Sequence, residues 1–549
     1  MRALAQFYRN LAVTPWLLYP LLFVAGVLAA ALPTLRTGAI FPQEYDEFAY
    51  QLGAETFLQG RLANPPHPLA PFFETMHVLQ TPTYASKYPP GQSLQLAAGI
   101  LLGHPIYGVW LTVGLLAVAA AWMLRGLAPA TWAAAGGLVA SWQWGALTYW
   151  GRTYWGGSLF ALAGMLVFGG AVRFWRRPTG CSAWWAGTGA GLMALTRPYE
   201  GLWFCAVPAV AMAWKFFLTE GKMKKGKRGN LLVAPIAALV PVTAALAFLL
   251  TYNHAVTGDA LKFPHRLYQE QSEPDVSVFT WEHPGPAPAN RNAELSYQIR
   301  RFNPETMLAP TVSFVALMQS HLTVALPRLG GFFLPGLFGI GLVWAIFSGQ
   351  IWRRRAGEIA LACLLAFFAM LGTLRFFGFS HYAAAWSAPL AAVIVLGFRG
   401  LCAFRFGSWR LPPSLAGLAV VSWAVGTLFQ QTARGNPPAP WVLDRLETLA
   451  NLERQNEADH RGHVVFVMMA EGQPAFAEWV YNGPNIDAQP VIFARSLGTA
   501  RDAAVARYYP TRHLWQAWLK PSGELDRLAP YDPAAQSAPP NPPSPTTKG

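Results

Sequence analysis

Three carboxylates, Glu44, Asp46 and Glu47, fall within the stretch FPQEYDEFAY at residues 41–50, directly after a long apolar run. Neighbours on a helix point about 100° apart. Asp46 and Glu47 are therefore not expected to share one proton as a dyad. One can face a cavity while the other orients a partner or accepts a hydrogen bond at the helix terminus. Tyr50, four residues after Asp46, shares its face. A plainer alternative is that acids opening a helix complement its dipole. A second stretch, SKYPPGQSL at residues 86–94, sets Lys87 just ahead of Pro89 and Pro90, which suit the first turn of a helix. A cation and a helix N-terminus both attract an anion, so the pairing suits a phosphate. The alternative is a lysine snorkelling at a membrane edge.

Other charged or aromatic positions sit in short polar turns. TYWGRTYWGGS carries Arg152, with Trp150 and Trp155 either stacking on a sugar face or belonging to an interfacial belt. TRPYEG carries Arg197 and Glu200, at a spacing that also lets the two pair with each other. His381 and Tyr382 either line a site or cap a span. His67, Glu74 and His77 are spaced by seven and three, and Glu-x-x-His fits one helical face, so Glu74 and His77 are the candidates for a divalent metal ion.

These residues must be positioned by apolar elements. The chain has 549 residues, 53% hydrophobic and only 12% charged, against roughly 25% charged in a soluble domain. Apolar runs near the roughly 20 residues of a membrane-crossing helix recur along it. Many of the 23 Trp and 18 Tyr fall at their ends. The net charge of +14 does not indicate nucleic acid, because Lys and Arg cluster in short connections between spans, which is a topology signal. The four cysteines form no CxxC or Cys/His pattern, so neither disulfides nor a thiolate metal site is expected. The first apolar run reads as a retained span.

The expected fold is an α-helical polytopic membrane protein with about eleven transmembrane helices, near 15–33, 105–124, 130–148, 158–174, 183–195, 201–218, 230–252, 331–350, 358–375, 382–398 and 413–430. A piece at 308–327 reads as an interfacial or cavity-lining helix. The membrane domain covers 1–435, with outer loops at 34–88 and 253–330. A helix is expected at 45–58. A small α/β domain follows at 436–531, with strands in HVVFVMM and VIFARSLG, and a Pro/Ser-rich disordered tail at 532–549. The basic first residues place the N-terminus inside and, by parity, the C-terminus outside. KMKKGKR at 222–228 reads as inside charge attracted to anionic lipid.

The polar groups gather on one side, and the span centres are nearly free of charge. A transporter more often places ionisable groups in mid-span. A site at the membrane surface is the better expectation.

An outer loop opening with D-E-x-x-Y at Asp46 and Glu47, followed by K-x-P-P at Lys87 and many spans, resembles the GT-C superfamily of membrane glycosyltransferases. The comparison is with the protein O-mannosyltransferase and aminoarabinose transferase group. The resemblance implies an enzyme that moves a sugar from a polyprenyl-phosphate donor to a glycan, lipid or protein acceptor on the outer face, periplasmic in a bacterial inner membrane. Asp46 would be the general base and Glu47 a supporting group. Lys87 matches the phosphate-binding position of the aminoarabinose transferase pattern. Arg152 and Arg197 are further phosphate candidates from their outer-edge position, with Tyr50, Glu200 and His381 around the substrate. Direct attack would invert the anomeric centre. One departure stands out: that pattern has an acid before the Lys, and here the residue is Ser86. A transporter of lipid-linked glycans and a non-catalytic GT-C scaffold are the alternatives.

Overall fold

A computed structural model of the chain describes residues 2–38, 40–221, 229–286, 305–309, 311, 313–321, 323, 343–347, 355–375, 377–403, 405–406, 409–410, 437–470, 473 and 477–533. The expected spans at 331–350 and 413–430 lie outside these residues, apart from a short piece of the first. So do the basic run at 222–228 and all but the start of the tail.

An amphipathic helix, α1 (Arg2–Val13), leads into α2 (Pro15–Thr37), which opens on a proline and ends at Gly38. Gly38 adopts φ 69°, and its N–H closes the last turn on the Thr34 carbonyl. The outer loop then forms α3 (Tyr45–Leu58), with the bounds expected from sequence, and a hairpin of β1 (Val78–Leu79) and β2 (Ala85–Ser86). Next come α4 (Pro90–Leu101), α5 (Pro105–Arg125), α6 (Ala130–Ser141), α7 (Ser158–Arg176), α8 (Gly180–Thr196), α9 (Pro198–Glu220) and α10 (Gly229–Thr257). The second outer segment contains α11 (Pro264–Ser272) and α12 (Phe314–Ser320), followed by α13 (Arg355–Leu371) and α14 (Ser387–Ala403).

Six helices among the described residues are long and apolar enough to cross a membrane: Pro15–Thr37, Pro105–Arg125, Ser158–Arg176, Pro198–Glu220, Val233–Thr257 and Ser380–Ala403. Others expected as spans are shorter. α6 stops at Ser141 and gives way to a π-turn, Trp142–Ala146, and a 3₁₀ turn, Tyr149–Gly151. α8 and α13 have 17 residues each. The membrane assignment has a physical basis in what faces outward. Leu202, Val210, Trp214 and Phe217 of α9, and Val233, Ile236 and Leu239 of α10, are exposed. Such surfaces belong in lipid rather than water, and the chain is an integral membrane protein. Inside, helices approach closely where side chains are absent: a Cβ on Gly26 would lie 2.8 Å from the Gly114 Cα, so α2 and α5 meet backbone to backbone.

The C-terminal domain carries α15 (Pro440–Asp459), β3 (His463–Met468), β4 (Val491–Arg495), α16 (Thr499–Tyr508), β5 (His513–Leu519) and β6 (Leu525–Pro530). The sheet order is β4-β3-β5-β6, with the first two pairings parallel and the last antiparallel. Both expected strands are present. β5 and β6 were not anticipated. This domain shares one apolar core with the first outer loop: Phe48, Leu52, Phe72, Phe73 and Val78 pack with Trp441, Val465 and Phe493.

Candidate active site at the head of the outer-loop helix

Asp46 and Glu47 open α3, and their side chains diverge as the helical angle requires. Glu47 is 3% exposed. Its Oε2 accepts a 2.7 Å hydrogen bond from the Gln43 N–H, and its Oε1 accepts one of 2.7 Å from the Tyr154 N–H. Glu47 therefore latches the start of the outer loop to the turn after α6. Burial pushes its carboxyl up to about 7, against the two hydrogen bonds. Glu47→Ala would strand both N–H groups, at about 1–3 kcal/mol each. A lower unfolding temperature in detergent is expected, and an unchanged one would remove the latch. Glu44 is pushed up to about 9, by burial and then by its acidic neighbours.

The Asp46 carboxylate points the other way. Its Oδ1 lies 2.7 Å from His77 Nδ1 and accepts a hydrogen bond from the Tyr88 hydroxyl. That hydroxyl is also 3.1 Å from His77 Nδ1. The hairpin explains the meeting. Val78 pairs with Ser86, so the next pair outward brings His77 beside Lys87, where the Lys87 N–H donates to the His77 carbonyl at 3.1 Å. His77 has φ 68°, an uncommon conformation for a residue with a side chain. Its N–H donates to the Tyr268 hydroxyl at 3.0 Å. Tyr50 lies on the Asp46 face as expected and stacks on Tyr88, with ring centroids 4.4 Å apart. Burial works against ionising Asp46. His77, Lys87 and Arg197 together outweigh it and hold the carboxyl below its ordinary value.

Lys87 is buried. Its Nζ is 4.0 Å from Glu273 Oε2 and 4.6 Å from the centre of the Tyr268 ring. Burial lowers its pKa, with Glu273 and Asp46 opposing. Arg197 stands at the junction of α8 and α9. Its guanidinium covers the Tyr382 ring at 4.4 Å and meets Glu200 at 3.4 Å, the mutual pairing open to them from sequence. His265 on α11 joins the same neighbourhood. Burial, then Lys87 and His77, push it down to about 3, so it is a neutral imidazole.

Sequence reasoning missed Tyr88, His265, Tyr268 and Glu273. Tyr88 adjoins Lys87 and was within reach. The other three arrive from the second outer segment, which carries no spacing signal. Two other expected residues, Arg152 and His381, take different partners from Asp46. Arg152 is not among the principal charges acting on Asp46; it ends the Tyr149–Gly151 turn, half-buried. His381 turns to Tyr149, whose hydroxyl lies 2.8 Å from Nδ1, and its neighbour Tyr382 meets Arg197 instead. Trp150 is fully buried with its Nε1–H donating to Ser380 Oγ at 3.2 Å, so it neither stacks on a sugar nor sits in an interfacial belt. Among the described residues no three of His, Cys, Asp and Glu assemble as a metal set, so Glu74 and His77 gain no third ligand.

The C-terminal domain grips the loop that carries Asp46. Thr75 donates to Glu478 at 2.7 Å, and Glu478 pairs with Arg495 at 3.2 Å in a buried contact. Arg495 also donates to the Glu74 carbonyl at 3.2 Å. His67 lies 3.1 Å from Asp487, which accepts from the Tyr509 hydroxyl at 2.5 Å. Arg375, just after α13, donates to two carbonyls of the second outer segment, Phe279 at 3.1 Å and Ala309 at 2.5 Å.

No family model matches the chain. No curated protein matches it either. Among solved structures, the oligosaccharyltransferase of Archaeoglobus fulgidus in complex with zinc and sulfate is similar in outline, with a TM-score of 0.47 and 11% identity over 91% of this chain and 68% of that one. Its apo form gives 0.48 and 12% identity over 92% and 69%. Its complex with an inhibitory peptide and a dolichol-phosphate gives 0.43 and 12% identity over the same shares.

Proposed function

We propose that the chain is an integral-membrane glycosyltransferase that moves a sugar from a polyprenyl-phosphate donor to an acceptor hydroxyl, with Asp46 as general base. The observation that carries this reading is one ionised carboxylate, oriented by His77 and Tyr88, acted on by two cations, Lys87 and Arg197, at the membrane exit. In the reaction Asp46 takes the acceptor proton as the acceptor oxygen attacks the anomeric carbon. The bond from that carbon to the phosphate oxygen breaks, and the lipid phosphate leaves as an anion. A phosphate needs no proton to leave; Lys87 and Arg197 stabilise its charge. One displacement inverts the anomeric centre. Residues 1–435 form the transferase unit and 436–531 an accessory unit on the outer, periplasmic face, with the N-terminus cytoplasmic.

The deciding experiment incubates membranes with a panel of polyprenyl-phosphate sugars and follows sugar transfer and the anomeric configuration of the product. Retained configuration would exclude the single displacement. Lipid-linked glycan crossing the membrane without transfer would favour a transporter. The pH profile follows from the same groups. Asp46 titrates below the ordinary carboxylate value of 3.8, so its basic form persists until the pH falls beneath that value. Lys87 loses its proton below the ordinary 10.5, so transfer declines on the alkaline side before that pH. An acid limb centred above pH 5 would assign the base to another group.

A further inference from the structure

A cavity of about 760 Å³ opens between α3 and the C-terminal domain. It lies on the far side of α3 from the Asp46 carboxylate. Glu55, which lines it, follows Asp46 by nine residues, about half a turn around the helix and roughly 14 Å along it. The volume is that of a small-molecule site, of order 300–1,000 Å³. We propose that this cleft binds the neutral or amino-sugar oligosaccharide portion of a substrate, a proposal that rests on the glycosyl-transfer reading.

Its lining chemistry is that of a polyhydroxyl ligand. Gln51, Glu55 and Gln59 form a ladder along one face of α3, with Gln51 Nε2 donating to Glu55 Oε1 at 2.7 Å. Asn485 and Gln489 face them from the C-terminal domain. Side-chain amides donate and accept together, as each sugar hydroxyl does. Phe48 and Tyr481, largely buried with ring centroids 4.7 Å apart, form the apolar floor of the cleft.

Other ligands fit less well. The cation on the lining is Arg445, and its guanidinium already donates to the carbonyls of Trp479 at 3.1 Å and Tyr481 at 3.0 Å. With Glu55 present as well, a phosphate is poorly served. A peptide would be expected to extend the sheet along its edge strand β4, which lines the cleft. There the Asn482 side chain occupies both ladder groups of Phe493, donating to its carbonyl at 2.8 Å and accepting from its N–H at 2.9 Å. A side chain at Gly483 would displace the lining groups: a Cβ there would stand 2.8 Å from Gln489 Nε2 and 3.1 Å from Glu55 Oε2.

The test uses full-length protein in nanodiscs on an array of immobilised neutral and amino-sugar tetrasaccharides, with a mixed-sequence peptide library alongside. At least one tetrasaccharide is expected to bind. Gly483→Leu and, separately, the rim variant Gln489→Ala should each weaken it at least about tenfold, a loss of roughly 1.4 kcal/mol. Asp46→Asn should bind as the wild type does. Gln489→Ala removes no core contact, and an unchanged unfolding temperature confirms that its loss is local. In transfer assays, a raised KM for the acceptor under Gly483→Leu assigns the glycan to the acceptor, and a raised KM for the donor assigns it to the donor. The proposal is overturned if no tetrasaccharide binds, if both variants bind as the wild type does, or if Gly483→Leu abolishes peptide binding instead. Absence of binding with transfer intact would sink the cleft alone. Binding without any transfer by the wild type would sink the transferase reading alone.

Discussion

Asp46→Asn is expected to lower transfer by about 10²–10⁴-fold, the range for loss of a positioned general base. The substitution is close to isosteric. An amide oxygen can still accept from Tyr88, and α3 keeps its Glu47 latch. What disappears is the capacity to accept the acceptor proton. The loss should therefore appear in kcat, while the KM for the donor holds or falls, since a neutral amide repels the lipid phosphate less than the Asp46 carboxylate does. Folding is controlled by the unfolding temperature in detergent. Wild-type transfer by this variant would end the catalytic assignment, and a loss confined to KM would recast Asp46 as a binding group.

Lys87→Ala is expected to cost about 10²–10³-fold in kcat/KM for the donor, the scale of one lost charge stabiliser at a developing anion. Here a structural role must be separated from a functional one. Lys87 is buried beside Glu273, and removing one member of a buried pair can cost about 3–5 kcal/mol. The double variant Lys87→Met with Glu273→Gln removes both charges together and should recover much of the lost stability. Transfer should stay low in the double variant. Recovery of transfer would mean that Lys87 serves only to balance Glu273.

Much of the frame was legible in the sequence because it rests on local signals. Apolar runs locate α2, α5, α7, α9 and α10, and the D-E-x-x-Y stretch marks α3 with its two divergent acids. Pro89 and Pro90 announce the start of α4. The site was harder to read because it is assembled by contacts distant in sequence. By its spacing from Glu74, His77 is legible only as a metal candidate. Its actual partner, Asp46, meets it through a hairpin of two-residue strands, too short to carry an alternating pattern. Tyr268 and Glu273 reach Lys87 from α11 and its end, in a segment whose charges gave no hint of direction. Arg197, expected at a span end, stands at the junction of α8 and α9. Arg152, expected at another, follows the Tyr149–Gly151 turn, because α6 stops at Ser141. In the C-terminal domain the buried strands β3 and β4 are legible as apolar runs, whereas β5, partly exposed, and β6, half-exposed and charged, are not.

The bond from Thr75 to Glu478 joins residues 403 positions apart. A chain is made from its N-terminus, and segments can fold only when their partners exist. The loop bearing Asp46 leaves the ribosome long before the residues that cover Phe48, Phe72 and Phe73. Until then those rings stand uncovered, and the loop lacks half of its core. The order of synthesis thus makes the C-terminal domain a gatekeeper for the outer loop: the core beneath Asp46 closes only after Trp441, Val465 and Phe493 have been built.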